Sequence, residues 1–188
     1  MNGSTDAATR ATIGYHAARE VALGEALAAL PAHSWTVISN VAWPDRHGSV
    51  IDFVVVGPPG VFVVDDQLLV GNVTLHDSVL RHNGRNRSSV IGEAFGAARS
   101  VLGSLPGVRA DLVQPLVCVA GGHHVRGEVD GVTVCTPIDI VQWLSSRPAI
   151  FADADLAYVV HEARTRLRPV ETSAVVGAMT DAHPTALE

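Results

Sequence analysis

Between Val50 and Gln67 the chain reads VIDFVVVGPPGVFVVDDQ. Two apolar runs rich in β-branched residues flank Gly-Pro-Pro-Gly, and that pattern predicts strand, tight turn, strand. Each run carries acid: Asp52 in the first, Asp65 and Asp66 in the second. A carboxylate inside a sheet is costly unless something pairs with it. Strand side chains alternate between faces, so Asp65 and Gln67 share a face with Val61 and Val63, while Asp66 joins Phe62 and Val64. On the first run, Asp52 shares a face with Val50 and Val54. If the turn sets Val56 opposite Val61, counting outward brings Asp52 opposite Asp65. Like charges directly opposite are destabilising. Such a pair calls for a cation or a proton.

Around this hairpin the chain alternates element types. Residues 7–30 are Ala-rich with Leu23, Leu27 and Leu30 at helical spacing, and Pro31 stops the helix. Residues 34–43 have strand character and 44–49 form a loop. A short hairpin is expected over 73–82, then a polar loop over 83–89. A helix follows, capped by Ser88 or Ser89 and running to about Leu105. Further strands are expected at 112–120 and 132–136, separated by a loop over 121–131. Helices are expected at 137–146 and 153–167. Strands in a meander, then alternating with helices, point to an α/β fold with a mixed central sheet and helices on both faces.

The length of 188 residues fits one domain, or one with a small appendage. With 47% hydrophobic and 17% charged residues, the composition is ample for a packed core and argues against disorder. No apolar run approaches the roughly 20 residues that cross a bilayer, and MNGSTDAATR lacks the apolar segment of a signal peptide. The expectation is a soluble cytoplasmic protein with no membrane partner. Cys118 and Cys135 lie in apolar runs and read as buried thiols. A net charge of -6 gives no overall basic field for nucleic acid, though a local basic groove stays open. All 13 basic residues are arginine; the chain has no lysine.

The carboxylates suit a hard divalent metal. Mg²⁺ binds through one or two of them, keeps waters, and offsets charge on a phosphate. Glu20 extends the Leu23–Leu27–Leu30 stripe and is a third candidate ligand. Each acid taken singly is equally well explained as a solvated strand end; the matched set of Asp52, Asp65 and Gln67 is harder to explain that way. Other features weigh less. His123 and His124 are adjacent in a loop and do not face one site, and His33, His47, His76 and His82 are scattered surface candidates. Gly92 and Gly96, four apart on a helix, suggest close helix packing. The stretch RHNGRNR (81–87) is a solvated charge run or a grip on a phosphate backbone. No GxGxxG, GxxxxGK[ST] or GxSxG motif occurs, so nucleotide-fold and serine-hydrolase readings lack support.

Taken together, GYHAAREVALGEALAALP and SVIDFVVVGPPGVFVVDDQLLVGNV resemble the opening helix and the core of the nuclease-related domain (NERD) family, in the PD-(D/E)XK nuclease superfamily. VQPLVCVAG, GVTV and IVQWLSSRP continue the likeness less specifically, so the domain is expected over 13–168, with loose tails at 1–12 and 169–188. The resemblance implies a restriction-endonuclease-like fold acting on DNA with Mg²⁺ or Mn²⁺. It gives Glu20, Asp52 and Asp65 the metal, and puts Gln67 where the family has a catalytic lysine. Gln67 can carry no charge and offers only an amide; Phe53 stands where a histidine often follows the strand acid. Arg19 and Arg46 are the substitute cations by motif, and together with Arg81, Arg85 and Arg87 they are the expected nucleic-acid contacts. Arginine stays protonated and is a poor proton shuttle. Two functions are therefore expected in competition. One is a metal-dependent DNA nuclease in which Gln67 orients water. The other is a catalytically degenerate nuclease fold that binds nucleic acid or a protein partner. A self-associating scaffold, with its acids facing solvent, is the third.

Overall fold

The computed structural model describes residues 22–122 and 125–170. Its centre is a six-stranded mixed sheet. In chain order its strands are β1 (Thr36–Ala42), β2 (Val50–Gly57), β3 (Gly60–Gly71), β7 (Val113–Gly122), β8 (Gly127–Val129) and β9 (Val132–Cys135). Their spatial order is β1-β2-β3-β7-β9-β8. β1, β2 and β3 form an antiparallel meander; β3, β7 and β9 run parallel; β8 returns antiparallel at the edge. The helices are α1 (residues 22–28), α2 (Ser88–Ser104), α3 (Pro137–Ser145) and α4 (Asp153–Arg166).

β2 and β3 are buried on both sides because each face is roofed by helices. One face (Val54, Val56, Val61, Val63) packs against Ala97, Ala98 and Val101 of α2 and Val159 and Ala163 of α4. The other (Phe53, Val55, Phe62, Val64) packs against Leu23 and Leu27 of α1 and Ile140, Trp143 and Leu144 of α3. Continuous apolar strands are what such a double-sided sheet requires. Cys118 and Cys135 are register partners on β7 and β9, buried and unbridged. No described helix is long and apolar enough to cross a membrane.

The Gly57–Gly60 turn sets the register. Val56 pairs with Val61 and the ladder continues to Phe53 with Val64, as the spacing predicts. A Cβ at Gly57 would lie 2.2 Å from the Trp35 ring, so any other residue there must displace that ring. Pro58 O accepts from the N–H groups of Ile150 and Phe151, at 2.8 and 3.0 Å, tying the α3–α4 connection to the turn.

A second, three-stranded sheet of β4 (Val73–His76), β5 (Val79–His82) and β6 (Arg85–Asn86) leads into α2. Leu80 and Val73 pack there with Val90, Ile91 and Ala94 of α2 and Val117 and Val119 of β7. Three local expectations are corrected. β6 and β8 lie where loops were expected, closed by Asn83-Gly84 and Asp130-Gly131, all at positive φ as tight hairpin turns require. Neither Ser88 nor Ser89 caps α2; Arg87 is the N-cap residue, and Asn86 Oδ1 accepts from the Ser88 N–H at 2.7 Å. Neither Gly92 nor Gly96 serves close helix packing: a Cβ at Gly92 would meet nothing within 4 Å, and one at Gly96 would meet only the Trp43 ring, at 3.6 Å. At the described C-terminal end, Pro169 bridges Val41, and the Val170 N–H donates to Asn40 O at 2.7 Å. The helix expected from residue 7 is described only from residue 22, and most of both expected tails lies outside the described residues.

Candidate active site

One step beyond the Phe53–Val64 pair, the hairpin brings Asp52 and Asp65 together on the α2 face. Asp52 Oδ2 accepts from the Asp66 backbone N–H at 2.7 Å, so this carboxylate also closes the strand pair. The Asp65 carboxyl is within hydrogen-bonding reach of Asp52. Gln67, two residues on and on the same face, donates from Nε2 to both Asp65 oxygens, at 3.1 and 3.0 Å. Asp66 points the other way and is buried.

Electrostatically the pair is frustrated. Burial first, and then the Asp52 charge, push Asp65 from 3.8 up to about 7; donation by Gln67 opposes this, and Glu93 adds to it. A carboxyl raised by desolvation and a like neighbour marks a site that gains when a proton or cation arrives.

Asp52 and Asp65 border a cavity of about 90 Å³, with Trp43, Glu93 and the small residues Ala94 and Ala97 also in its wall. Glu93, on α2, is the residue that sequence reasoning missed. Its signal was an acid beside the apolar stripe of Val90, Ile91, Ala94 and Ala97. Trp43 is fixed by its Nε1–H, which donates to Ser100 Oγ at 3.0 Å. The Arg46 guanidinium lies 5.3 Å from the centre of the Trp43 ring, which places a cation beside the cavity wall.

The remaining candidates are dispersed. Arg81 and Arg85 are exposed on β5 and β6. Arg87 Nη2 donates to His82 Nδ1 at 3.1 Å, and His82 Nε2 contacts Val70 O at 2.9 Å, so both side chains brace the small sheet. His76 pairs with Asp77 at the surface. Glu20, Arg19, His123 and His124 lie outside the described residues.

Among the described residues no three His, Cys, Asp or Glu side chains form a metal-holding group. Asp52 and Asp65 nonetheless suit a hard cation: they are adjacent oxygen donors whose repulsion it would relieve, and Mg²⁺ needs only one or two carboxylates.

A mixed sheet sandwiched by helices, with an acid pair at the end of its central hairpin, defines a restriction-endonuclease-like α/β protein. The chain belongs to the nuclease-related domain family, whose model matches residues 15–120 and so includes β1 to β3, α2 and most of β7. No curated protein and no solved structure gives a significant match.

Proposed function

We propose that this protein is a metal-dependent nuclease that hydrolyses phosphodiester bonds in DNA. The carrying observation is the Asp52–Asp65 pair, with Asp65 pushed up to about 7 beside a cavity, in a chain of the nuclease-related family. Asp52 and Asp65 would hold Mg²⁺ or Mn²⁺, with Glu20 as the further expected ligand. Such an ion, when bound, supplies charge to offset that developing on phosphate and makes water a better nucleophile. Gln67 orients Asp65 through Nε2 and can accept from a water at Oε1. Arg46, held over Trp43, is the nearest candidate to receive a phosphate oxygen. Arg81 and Arg85 are candidate backbone contacts further out.

The test is Mg²⁺ and Mn²⁺ calorimetry followed by incubation with plasmid and single-stranded DNA. Asp52→Asn and Asp65→Asn are the comparisons, because asparagine keeps an acceptor for the Asp66 N–H and for Gln67. Metal binding and cleavage by wild type, both lost in the variants, are expected. Cleavage that survives in Asp65→Asn overturns the proposal.

One observation favours a second reading. Gln67 spends its amide donor on Asp65, and the chain contains no lysine to bring a mobile proton carrier. A catalytically degenerate fold that binds nucleic acid without turnover then follows. It predicts DNA binding with no cleavage, unchanged in both asparagine variants.

A further inference from the structure

On the opposite face of the sheet from the acid pair, a second cleft of about 350 Å³ opens at the β8 edge. Register places its floor. Gln114 is opposite Phe62, Thr133 is opposite Leu116, and Glu128 is opposite Thr133, all on the side that packs against α3. Trp143 of α3 and Arg147 just beyond it form one wall, and Arg126 lies at the approach to β8.

Arg147 is set in place by aromatic packing. Its guanidinium lies 4.5 Å from the Trp143 ring centre, and that ring is itself fixed edge-on to Phe62 at 5.8 Å. A guanidinium stacked this way has lost its conformational freedom before any ligand arrives and keeps its N–H edge for hydrogen bonding. Arg126 is exposed. Among the described residues neither arginine has a carboxylate partner, whereas Arg109 is held by Asp111 and Arg166 by Glu162. Gln114 and Thr133 add neutral donors, and Glu128 a single carboxylate.

We infer that this cleft binds a phosphomonoester carried on a nucleoside-sized group. Two guanidinium groups match a dianionic terminal phosphate, and arginine forks fit its oxygens in pairs. The volume lies at the lower end of small-ligand sites, which suits one nucleotide and not a duplex. Glu128 repels a second anionic group and accepts from a sugar hydroxyl or a base amine. The phosphate belongs to a free mononucleotide or to the 5′ end of a strand. The site is independent of the nuclease reading.

Calorimetry on the full chain separates the cases. The probes are deoxyadenosine 5′-monophosphate, a short oligonucleotide with and without a 5′-phosphate, and succinate. Binding of the monophosphate is expected, weakened about tenfold or more by Arg126→Ala and by Arg147→Ala, and unchanged in Asp65→Asn. Arg147→Lys, which keeps the charge and loses the planar stack, should recover only part of the affinity. A 5′-phosphorylated strand that binds when its hydroxyl counterpart does not assigns the strand end; binding of the monophosphate alone assigns the free nucleotide. The inference fails if no phosphate probe binds, or if the arginine variants bind equally well. It also fails if succinate matches the monophosphate.

Discussion

Replacing Asp65 with asparagine should stabilise the metal-free protein, by an amount that grows as pH rises from about 4 and levels off above about 7. Asparagine keeps the shape and an acceptor for Gln67 Nε2, and removes the charge that Asp52 and burial oppose. In the unfolded chain an aspartate ionises near 3.9; in the folded protein Asp65 does so at about 7. Between those values the folded state binds the extra proton, so wild-type stability falls as pH rises from about 4, and the loss is complete above about 7. At 1.36 kcal/mol per pH unit, the gap between 3.8 and about 7 corresponds to at most about 4 kcal/mol. Solvent reaches part of the pair, which brings the expected gain for Asp65→Asn to about 1–3 kcal/mol near pH 8. Near pH 4 the gain should vanish. Urea unfolding of both proteins in EDTA across that range measures it, provided the urea slope is the same for both. A gap independent of pH, or a variant no more stable than wild type near pH 8, refutes the reasoning.

Other outcomes follow from the same geometry. Mg²⁺ binding at this pair should displace close to one proton near pH 6 and few near pH 8, read from calorimetry in buffers of different ionisation enthalpy. Gln67→Lys should bring Asp65 below about 7, because an ammonium would replace the amide beside its carboxylate; carboxyl NMR titration tests this. Gly57→Ala should destabilise the fold by about 1–3 kcal/mol, since its Cβ would meet the Trp35 ring at 2.2 Å; thermal or urea unfolding tests this.

The acid pair was legible because a two-residue hairpin leaves no freedom. Once Gly57-Pro58-Pro59-Gly60 is taken as the turn, alternation and counting give the face and the partner of Asp52, Asp65 and Gln67. Glu93 was not legible, because its approach to Asp65 depends on how α2 lies across β2 and β3, and no local pattern encodes that crossing. The two missed strands had their signals in view: Asn83-Gly84 and Asp130-Gly131 are hairpin dipeptides, but the strands they close are only two and three residues long. Ser88 failed as a cap because the helix begins one residue earlier, with Arg87 as N-cap, which leaves Ser88 inside the first turn with its own N–H donating to Asn86 Oδ1. The cleft at the β8 edge was also hidden, since Gln114, Thr133, Trp143 and Arg147 meet only through parallel pairing of distant segments.

The sheet topology also orders events in time. Asp52 and Asp65 are brought together by a local hairpin pairing, whereas β3 must wait for β7 to arrive from across the intervening meander and α2. Local pairs form ahead of distant ones when loop closure limits the rate. The repulsion between the carboxylates is then already present at the folding barrier. Discharging the pair, by proton or by Asp65→Asn, should therefore accelerate folding through the lost repulsion, while relief of the burial cost, which arises only once α2 covers the pair, should slow unfolding. The carboxylates act as a brake on the chain's own assembly, one that a bound cation would release.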